Sequence, residues 1–160
     1  MGDGAQRYEV GIERNVEARM RDGTVLRADI YRPKGTGNMP VLMCRTPYDK
    51  TTPLNADIAH ADAARGYIAL AQDIRGTHAS DGDYVWIFDP AAQERESRDG
   101  YDSVEWAARL PGSDGRVGTF GVSYSSFCSW CLAGALPPSL KAMHVGGMGS
   151  RNQDMNFGIA

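Results

Sequence analysis

The sequence lacks several features that are typical of membrane proteins, secreted proteins and nucleic-acid-binding proteins. No apolar run approaches the roughly 20 residues that a membrane-spanning helix needs, and residues 1–7 contain no apolar core of a signal peptide. The 20 acidic and 17 basic residues are interspersed, so no basic stripe indicates nucleic-acid binding. We therefore expect a cytoplasmic protein whose partners include neither a membrane nor a nucleic acid.

Cysteine is also scarce. Three cysteines make an odd, low count that predicts no disulfide framework and suits a reducing compartment. Cys128 and Cys131 have the C-x-x-C spacing of thiol redox sites and of half a zinc site, but they lie about one turn inside a predicted helix, and no second pair accompanies them. We predict that both are small packing residues. A redox pair stays open as an alternative, and no metal or organic cofactor is expected.

The apolar residues that are present are distributed as in a folded domain. They make up 42% of the 160 residues, enough to bury a core. Residues 13–20 and 25–31 alternate in polarity on either side of an Asp-Gly turn, which predicts an antiparallel hairpin. Short segments at 40–44, 67–71, 116–120 and 140–145 are predicted to be further strands, and the continuous apolar run at 40–44 is typical of a strand buried on both faces.

Helices are predicted between these strands. One covers 56–65, with Asn55 as its N-cap, and the next begins at an Asp99 cap and extends to residue 110. A third helix covers 125–135. Strands that alternate with helices indicate an α/β fold, so we expect one domain with an antiparallel edge hairpin leading into a mostly parallel sheet flanked by helices.

The segment Val-Gly-Thr-Phe-Gly-Val-Ser-Tyr at 117–124 carries the strongest chemical signal. It leads from a strand into a Gly-x-Ser turn that a helix follows. A serine at such a corner has a strained backbone, an exposed hydroxyl, and a following amide aimed at any oxyanion that forms. Ser123 is therefore a candidate nucleophile and the Tyr124 amide a candidate oxyanion donor. The alternative is an ordinary serine that caps the helix.

Two loops add weaker signals. The segment Arg-Thr-Pro-Tyr-Asp-Lys at 45–50 follows the 40–44 strand, where α/β-hydrolases place their second oxyanion donor. The Tyr48 hydroxyl could serve as that donor, although from the residues alone a tyrosine that caps the loop explains the residue better. In the second loop, we expect Asp73 and Arg75 to flank a turn and to pair with each other in a structural role.

Four motifs in order make the chain resemble a known family. They lie at 45–50, at 72–76 with 80–82, at 99–102 with 105–106, and at 115–118 with 121–124. The resemblance covers residues 17–138 and is to the cocaine-esterase-like acyl hydrolases, the X-Pro dipeptidyl-peptidase (S15) family. It implies an α/β-hydrolase fold, Ser123 as nucleophile, and an oxyanion hole made of the Tyr48 hydroxyl and the Tyr124 backbone N–H.

The chain departs from the family pattern just after the nucleophile. The pattern is Gly-x-Ser-Tyr-x-Gly, but Ser126 stands in the place of the last glycine. Family members that hydrolyse α-amino acid esters have a glutamate after the Ser-Tyr pair, which helps to bind the substrate ammonium, whereas this chain has Ser125. An amino-group clamp of that design is therefore not expected here.

A serine nucleophile needs a histidine base and an acid that orients it, in the order serine, acid, histidine for this fold. After Ser123 the chain offers only Asp154 and His144, in the opposite order. His60 and His78 precede the serine, and His78 is the one in-chain candidate we consider. Because the family places its acid and histidine much further along, we expect this chain to be the N-terminal portion of a catalytic domain, truncated before both.

The predicted function of the complete protein is hydrolysis of an ester or amide bond through an acyl-serine intermediate. The chain by itself should be inactive or nearly so, because its triad is incomplete. The expected partner is a small-molecule ester or amide or a short peptide, and self-association stays open. Two alternatives remain at this point: a non-catalytic binding module of hydrolase descent, and a thiol redox protein.

Overall fold

The computed structural model describes residues 8–35 and 37–148. Within them lie the strands β1 (Val10–Arg19), β2 (Val25–Pro33), β3 (Met39–Thr46), β4 (Ile68–Asp73), β5 (Ser113–Val122) and β6 (Leu140–Gly146), and the helices α1 (Pro53–Ala64), α2 (Pro90–Ala108) and α3 (Tyr124–Gly134). None of these helices is long and apolar enough to cross a membrane.

The described strands form one sheet in the order β1-β2-β4-β3-β5-β6. β1 pairs with β2, and β2 with β4, in antiparallel fashion, whereas β4, β3, β5 and β6 run parallel to one another. The predicted α/β fold, with an antiparallel hairpin at the edge of a mostly parallel sheet, is confirmed. Because parallel strands share one carboxyl end, the loops after β3, β4 and β5 meet at one edge of the sheet, where α/β folds place their sites.

The hairpin forms where the alternating pattern predicts it. Gly23 adopts a φ of 89° in the turn, which only glycine adopts easily, and the Met20 amide donates to the Thr24 carbonyl oxygen at 2.8 Å. Leu26, Ala28 and Ile30 are fully buried, as expected for one face of β2.

Helices cover both faces of the sheet. Ile30 and its neighbours in β3, β4 and β5 pack against Val104 and Ala107 of α2 and Leu132 of α3. On the opposite face, Tyr31 and Ala69 pack against Ala59 and Ala63 of α1. These two apolar layers account for the continuous apolar runs of the central strands.

Two predicted helix starts are wrong. α1 is capped by Thr52 rather than Asn55, and Pro53 occupies its first turn. α2 begins at Pro90 with Asp89 as its cap, so Asp99 lies in the middle of this helix and is buried. The first half of α2 is rich in charged residues, and its apolar periodicity is too weak to reveal a helix.

Candidate active site

Ser123 occupies the corner between β5 and α3. Its backbone has φ 58° and ψ −125°, a strained conformation for a residue with a Cβ atom. The Ser123 amide donates to the Gly146 carbonyl oxygen at 2.9 Å, which attaches the corner to the end of β6. Ser123 stands in the N-cap position of α3, but its hydroxyl makes no capping hydrogen bond. The side chain is exposed and its oxygen is available for other contacts.

Residues on both sides of Ser123 allow the tight corner. A Cβ atom on Gly121 would lie 2.6 Å from the Ser125 carbonyl carbon, so only glycine fits there. Ser126, which replaces the family glycine, is fully buried. Its hydroxyl oxygen lies 2.8 Å from the Gly121 carbonyl oxygen and accepts from the Gly146 amide at 3.0 Å. The extra hydroxyl therefore ties the end of β5 to the end of β6.

Tyr48 reaches the same corner from the loop after β3. Its hydroxyl donates to Ser123 Oγ at 3.2 Å, and the Tyr124 amide donates to the Tyr48 oxygen at 3.4 Å. The three residues selected from the sequence are thus brought together. A tyrosine that only caps its own loop would not place its hydroxyl on the β5–α3 corner.

A buried ion pair holds the loop that carries Tyr48. The Lys50 ammonium contacts Asp73 Oδ2 at 2.8 Å, and the Lys50 amide donates to Asp73 Oδ1, also at 2.8 Å. The side chains of Lys50 and Asp73 are 2% and 0% exposed. Because Asp73 ends β4, the pair fixes the loop after β3 to the neighbouring strand.

The expected pairing of Asp73 with Arg75 is wrong. Arg75 forms a two-point contact with Asp99 of α2, at 2.8 and 2.7 Å, and also reaches Asp22 of the hairpin turn at 2.8 Å. Its hydrogen bond to Asp22 lowers the pKa of that carboxyl to about 2. Arg75 therefore joins the hairpin to α2, while Asp73 serves the Tyr48 loop.

A second buried ion pair lies between the sheet and α2, and the sequence analysis did not predict it. Arg45 donates to Glu96 Oε2 at 2.9 Å and to Gln72 Oε1 at 3.0 Å, and the Ser103 hydroxyl donates to the same Gln72 oxygen at 2.8 Å. These contacts link β3, β4 and α2 behind the site. The sequence does contain a signal for this network: Arg45 and Gln72 are polar residues at the ends of the apolar strands β3 and β4.

The structure does not bring a histidine of the described residues into hydrogen-bond contact with Ser123. His78 Nε2 lies 2.9 Å from the Pro47 carbonyl oxygen, so this histidine braces the Tyr48 loop. His144 lies on β6 in register with Phe120, and His60 is exposed on α1. Asp154 lies outside the described residues.

Cys128 and Cys131 are buried on α3 and pack with Tyr124 and Phe127. Burial raises the pKa of both thiols, to about 12 for Cys131. A redox pair needs an exposed thiol of low pKa, so this environment favours the packing interpretation. Among residues 8–35 and 37–148, no cluster of histidine, cysteine or acidic side chains could hold a metal ion.

We expect the cysteines of the folded protein to react slowly with a thiol reagent at pH 8, and those of the urea-unfolded protein to react rapidly. Because burial keeps the folded thiols protonated beyond their ordinary pKa of 9.0, the unfolded state loses its thiol protons first. This difference in thiol pKa between the two states therefore makes the free energy of unfolding fall as the pH rises above about 9. Rapid labelling of Cys128 in the folded protein near pH 7 would instead favour a redox pair.

Two cavities flank Tyr48. One, of about 440 Å³, is lined by Cys44, Tyr48, Leu54, Asn55, Ile58, Phe120, Gly121, Val122, Ser123, Ser125 and His144. The other, of about 430 Å³, is lined by Pro47, Tyr48, Gly76, Thr77, His78, Tyr84, Trp86 and Tyr124. The candidate oxyanion donors therefore stand between two spaces large enough for organic substituents.

Comparison with known families identifies the family of this chain. The family model described as X-Pro dipeptidyl-peptidase (S15 family) matches residues 22–156, which include Tyr48, Ser123 and Tyr124. The chain belongs to the S15 family. The family resemblance and the hydrolase fold predicted from the sequence are confirmed.

Individual S15 relatives and structural neighbours are much longer than this chain. Cocaine esterase of Rhodococcus sp. (strain MB1 Bresler) is 36% identical over 136 residues, which cover 82% of this chain and 23% of that protein. The structure of an α-amino acid ester hydrolase superposes with a TM-score of 0.72 at 29% identity, over 89% of this chain and 26% of that one. An aminopeptidase from a marine sediment Thaumarchaeota archaeon gives 0.73 at 27% identity, with the same coverage. The chain thus spans about a quarter of the length of these proteins.

Proposed function

We propose that this chain carries the nucleophile and oxyanion hole of a serine hydrolase that cleaves ester or amide bonds through an acyl-serine intermediate. The observation that supports the proposal is the contact of the Tyr48 hydroxyl with both Ser123 Oγ and the Tyr124 amide. The strained Ser123 backbone and membership of the S15 family add to it. The similar proteins described above include an esterase, an ester hydrolase and an aminopeptidase.

In the proposed reaction, Ser123 Oγ attacks the substrate carbonyl carbon while a base takes the hydroxyl proton. The carbonyl oxygen becomes an oxyanion and accepts hydrogen bonds from the Tyr48 hydroxyl and the Tyr124 amide. The tetrahedral species then expels the alcohol or amine, which takes a proton from the protonated base. Water hydrolyses the acyl-serine in a second cycle of the same kind. Tyr48, which donates to Ser123 Oγ in the free protein, would turn its hydroxyl to the oxyanion.

We propose that the base is a histidine that lies further along the complete polypeptide, after this segment. Among the described residues no histidine forms a hydrogen bond with Ser123 Oγ, and the family order puts the acid and histidine after the nucleophile. Residues 1–160 would then form the N-terminal portion of the catalytic domain. Because triad residues act as a unit, this portion without the base should lose most of the rate, several orders of magnitude.

The substrate is proposed to be a small-molecule ester or amide or a short peptide, and the location to be the cytoplasm. The location rests on the three free, buried cysteines, which suit a reducing compartment.

Active-site labelling tests the proposal. A fluorophosphonate should label the complete polypeptide on Ser123, and Ser123→Ala should abolish the label. Ser97→Ala is the matched control, because Ser97 donates to the Cys131 carbonyl oxygen on the far side of α3 and should leave labelling unchanged. A folded complete polypeptide that takes no label, or a label that survives Ser123→Ala, would refute the proposed function.

A further inference from the structure

The peptide bond between Pro47 and Tyr48 is held by hydrogen bonds at both of its polar groups. The Tyr48 amide donates to Thr46 Oγ1 at 3.0 Å, and the Pro47 carbonyl oxygen lies 2.9 Å from His78 Nε2. A peptide unit is planar and rigid, so its orientation sets the direction in which the next side chain leaves the backbone. Thr46 belongs to the same segment of chain, whereas His78 lies in the loop after β4. His78 is therefore the contact that attaches this peptide to another part of the fold.

The two segments that meet at this contact have an unusual backbone conformation. Asp49 has a φ of 69° and His78 a φ of 47°, left-handed values that are uncommon for residues other than glycine. The two side chains also face each other, with His78 Nδ1 at 3.9 Å from Asp49 Oδ2. Backbone strain of this kind persists only where surrounding contacts hold it, and it concentrates at active sites and ligand-binding segments. Two such residues in neighbouring loops therefore indicate a conformation that the contacts between the loops impose.

The loop that carries the histidine is fixed to β4. The Thr77 amide and hydroxyl donate to the Ile74 carbonyl oxygen at 3.2 and 2.8 Å. The Ser80 hydroxyl donates to the Asp73 carbonyl oxygen at 2.7 Å. Because Ile74 and Asp73 are fully buried, these bonds anchor the loop to the core on both sides of the histidine. His78 therefore extends from a rigid base toward the loop after β3.

We propose that His78 is a positioning residue for Tyr48, the proposed oxyanion donor. A carbonyl oxygen only accepts hydrogen bonds, so His78 Nε2 bears a proton and donates to the Pro47 oxygen. This bond fixes the peptide from which the Tyr48 side chain extends, and with it the hydroxyl that contacts Ser123 Oγ. An oxyanion hole works because its donors are in place before charge develops, so a displacement of Tyr48 weakens it. The proposal rests on the proposed hydrolase function and adds a residue that acts on the reaction without touching the reacting atoms.

The competing role for His78 is that of the missing base, because it lines the 430 Å³ cavity beside Tyr48. In a catalytic triad, one imidazole nitrogen faces the serine and the other faces the acid. In His78, Nε2 faces a backbone carbonyl oxygen and Nδ1 faces the Asp49 carboxylate, which leaves no nitrogen for Ser123. This geometry favours the positioning role.

Steady-state kinetics of two variants of the complete polypeptide test the proposal. His78→Ala should lower kcat for a p-nitrophenyl ester about 10–100-fold, because a misplacement of about 1 Å in a catalytic group can cost up to about 100-fold. The KM should change little, since the weakened interaction is one made in the transition state. His78→Gln should retain most of the wild-type kcat, because its side-chain amide nitrogen can donate to the Pro47 carbonyl oxygen. Both variants have a Cβ atom, so the positive φ at this position affects them equally.

A double-variant cycle with Tyr48→Phe separates positioning from other roles. If His78 acts through the Tyr48 hydroxyl, His78→Ala should change kcat by less than about 2-fold once that hydroxyl is absent. A base, or a residue that only stabilises the fold, would lower kcat by the same factor in both backgrounds. His60→Ala is the matched control, because His60 is exposed on α1, and it should leave kcat unchanged in both backgrounds.

The outcomes separate this proposal from the proposed function. Absence of fluorophosphonate labelling in the wild-type polypeptide refutes the hydrolase function itself. Normal labelling together with wild-type kcat in His78→Ala, or with an equal loss in both backgrounds, overturns the positioning role alone. An equal loss of kcat in His78→Gln and His78→Ala also overturns it, because the replacement donor then has no effect. The His78 side chain is 41% exposed, so His78→Ala should keep the wild-type thermal unfolding midpoint, and a variant that fails to fold identifies a structural residue instead.

Discussion

Replacing Tyr48 with phenylalanine is expected to lower kcat of the complete polypeptide by about 10²–10³-fold, the usual cost of removing one oxyanion-hole donor. The phenylalanine ring keeps the shape of the side chain, which is half exposed, so the fold should not change. The KM should change little, because the hydrogen bond is strongest to the charged oxygen of the transition state. Steady-state kinetics on a p-nitrophenyl ester measure both constants.

Tyr67→Phe is the matched control for this substitution. Tyr67 lies just before β4, at the end of the sheet opposite the site, and the loss of its hydroxyl should leave kcat unchanged. If Tyr48→Phe retains wild-type kcat, the Tyr48 hydroxyl is not an oxyanion donor, whatever its contact with Ser123 in the free protein.

Replacing Asp73 with alanine is expected to lower the free energy of unfolding by about 3–5 kcal/mol, the typical cost of breaking a buried ion pair. The substitution leaves the Lys50 ammonium, whose side chain is 2% exposed, without its counter-charge. It also removes the acceptor of the Lys50 amide. Urea unfolding followed by circular dichroism gives the difference in free energy.

Two further variants separate a buried pair from charge loss in general. Asp114→Ala breaks the Arg116–Asp114 pair, in which the arginine is 63% exposed, and should destabilise the protein far less, because water screens an exposed pair. Lys50→Met combined with Asp73→Leu removes both buried charges and should recover much of the stability that Asp73→Ala loses. An Asp73→Ala variant as stable as Asp114→Ala would show that solvent reaches the pair.

The elements with local signals were predictable from the sequence. Alternation around an Asp-Gly turn identified the hairpin, and apolar runs identified the central strands. The start of α2 was missed, because its first half has few apolar residues and its signal is the Asp89-Pro90 pair, an N-cap followed by a proline in the first turn. That signal is short and competes with the equally plausible cap at Asp99.

Some features of the site were likewise predictable from the sequence, and others were not. Ser123 and the Tyr124 amide follow from a strand, a glycine and a helix that are adjacent in the chain, and Tyr48 follows from the family resemblance. The partners of Asp73 and Arg75 could not be chosen from the sequence, because each residue faces several opposite charges and proximity along the chain suggested the wrong pair. Lys50 precedes Asp73 by 23 residues, and Asp99 follows Arg75 by 24.

The sequence by itself determined the family, the order of strands and helices, and the serine at the end of β5, because backbone sterics and apolar periodicity act over a few residues. Only the tertiary structure decided which charges pair, that Ser126 ties β5 to β6, and that Leu54, Ile58 and Val122 line a cavity beside Ser123. These contacts join residues that are far apart in the chain. They exist only after the sheet has brought the loops at its carboxyl edge together.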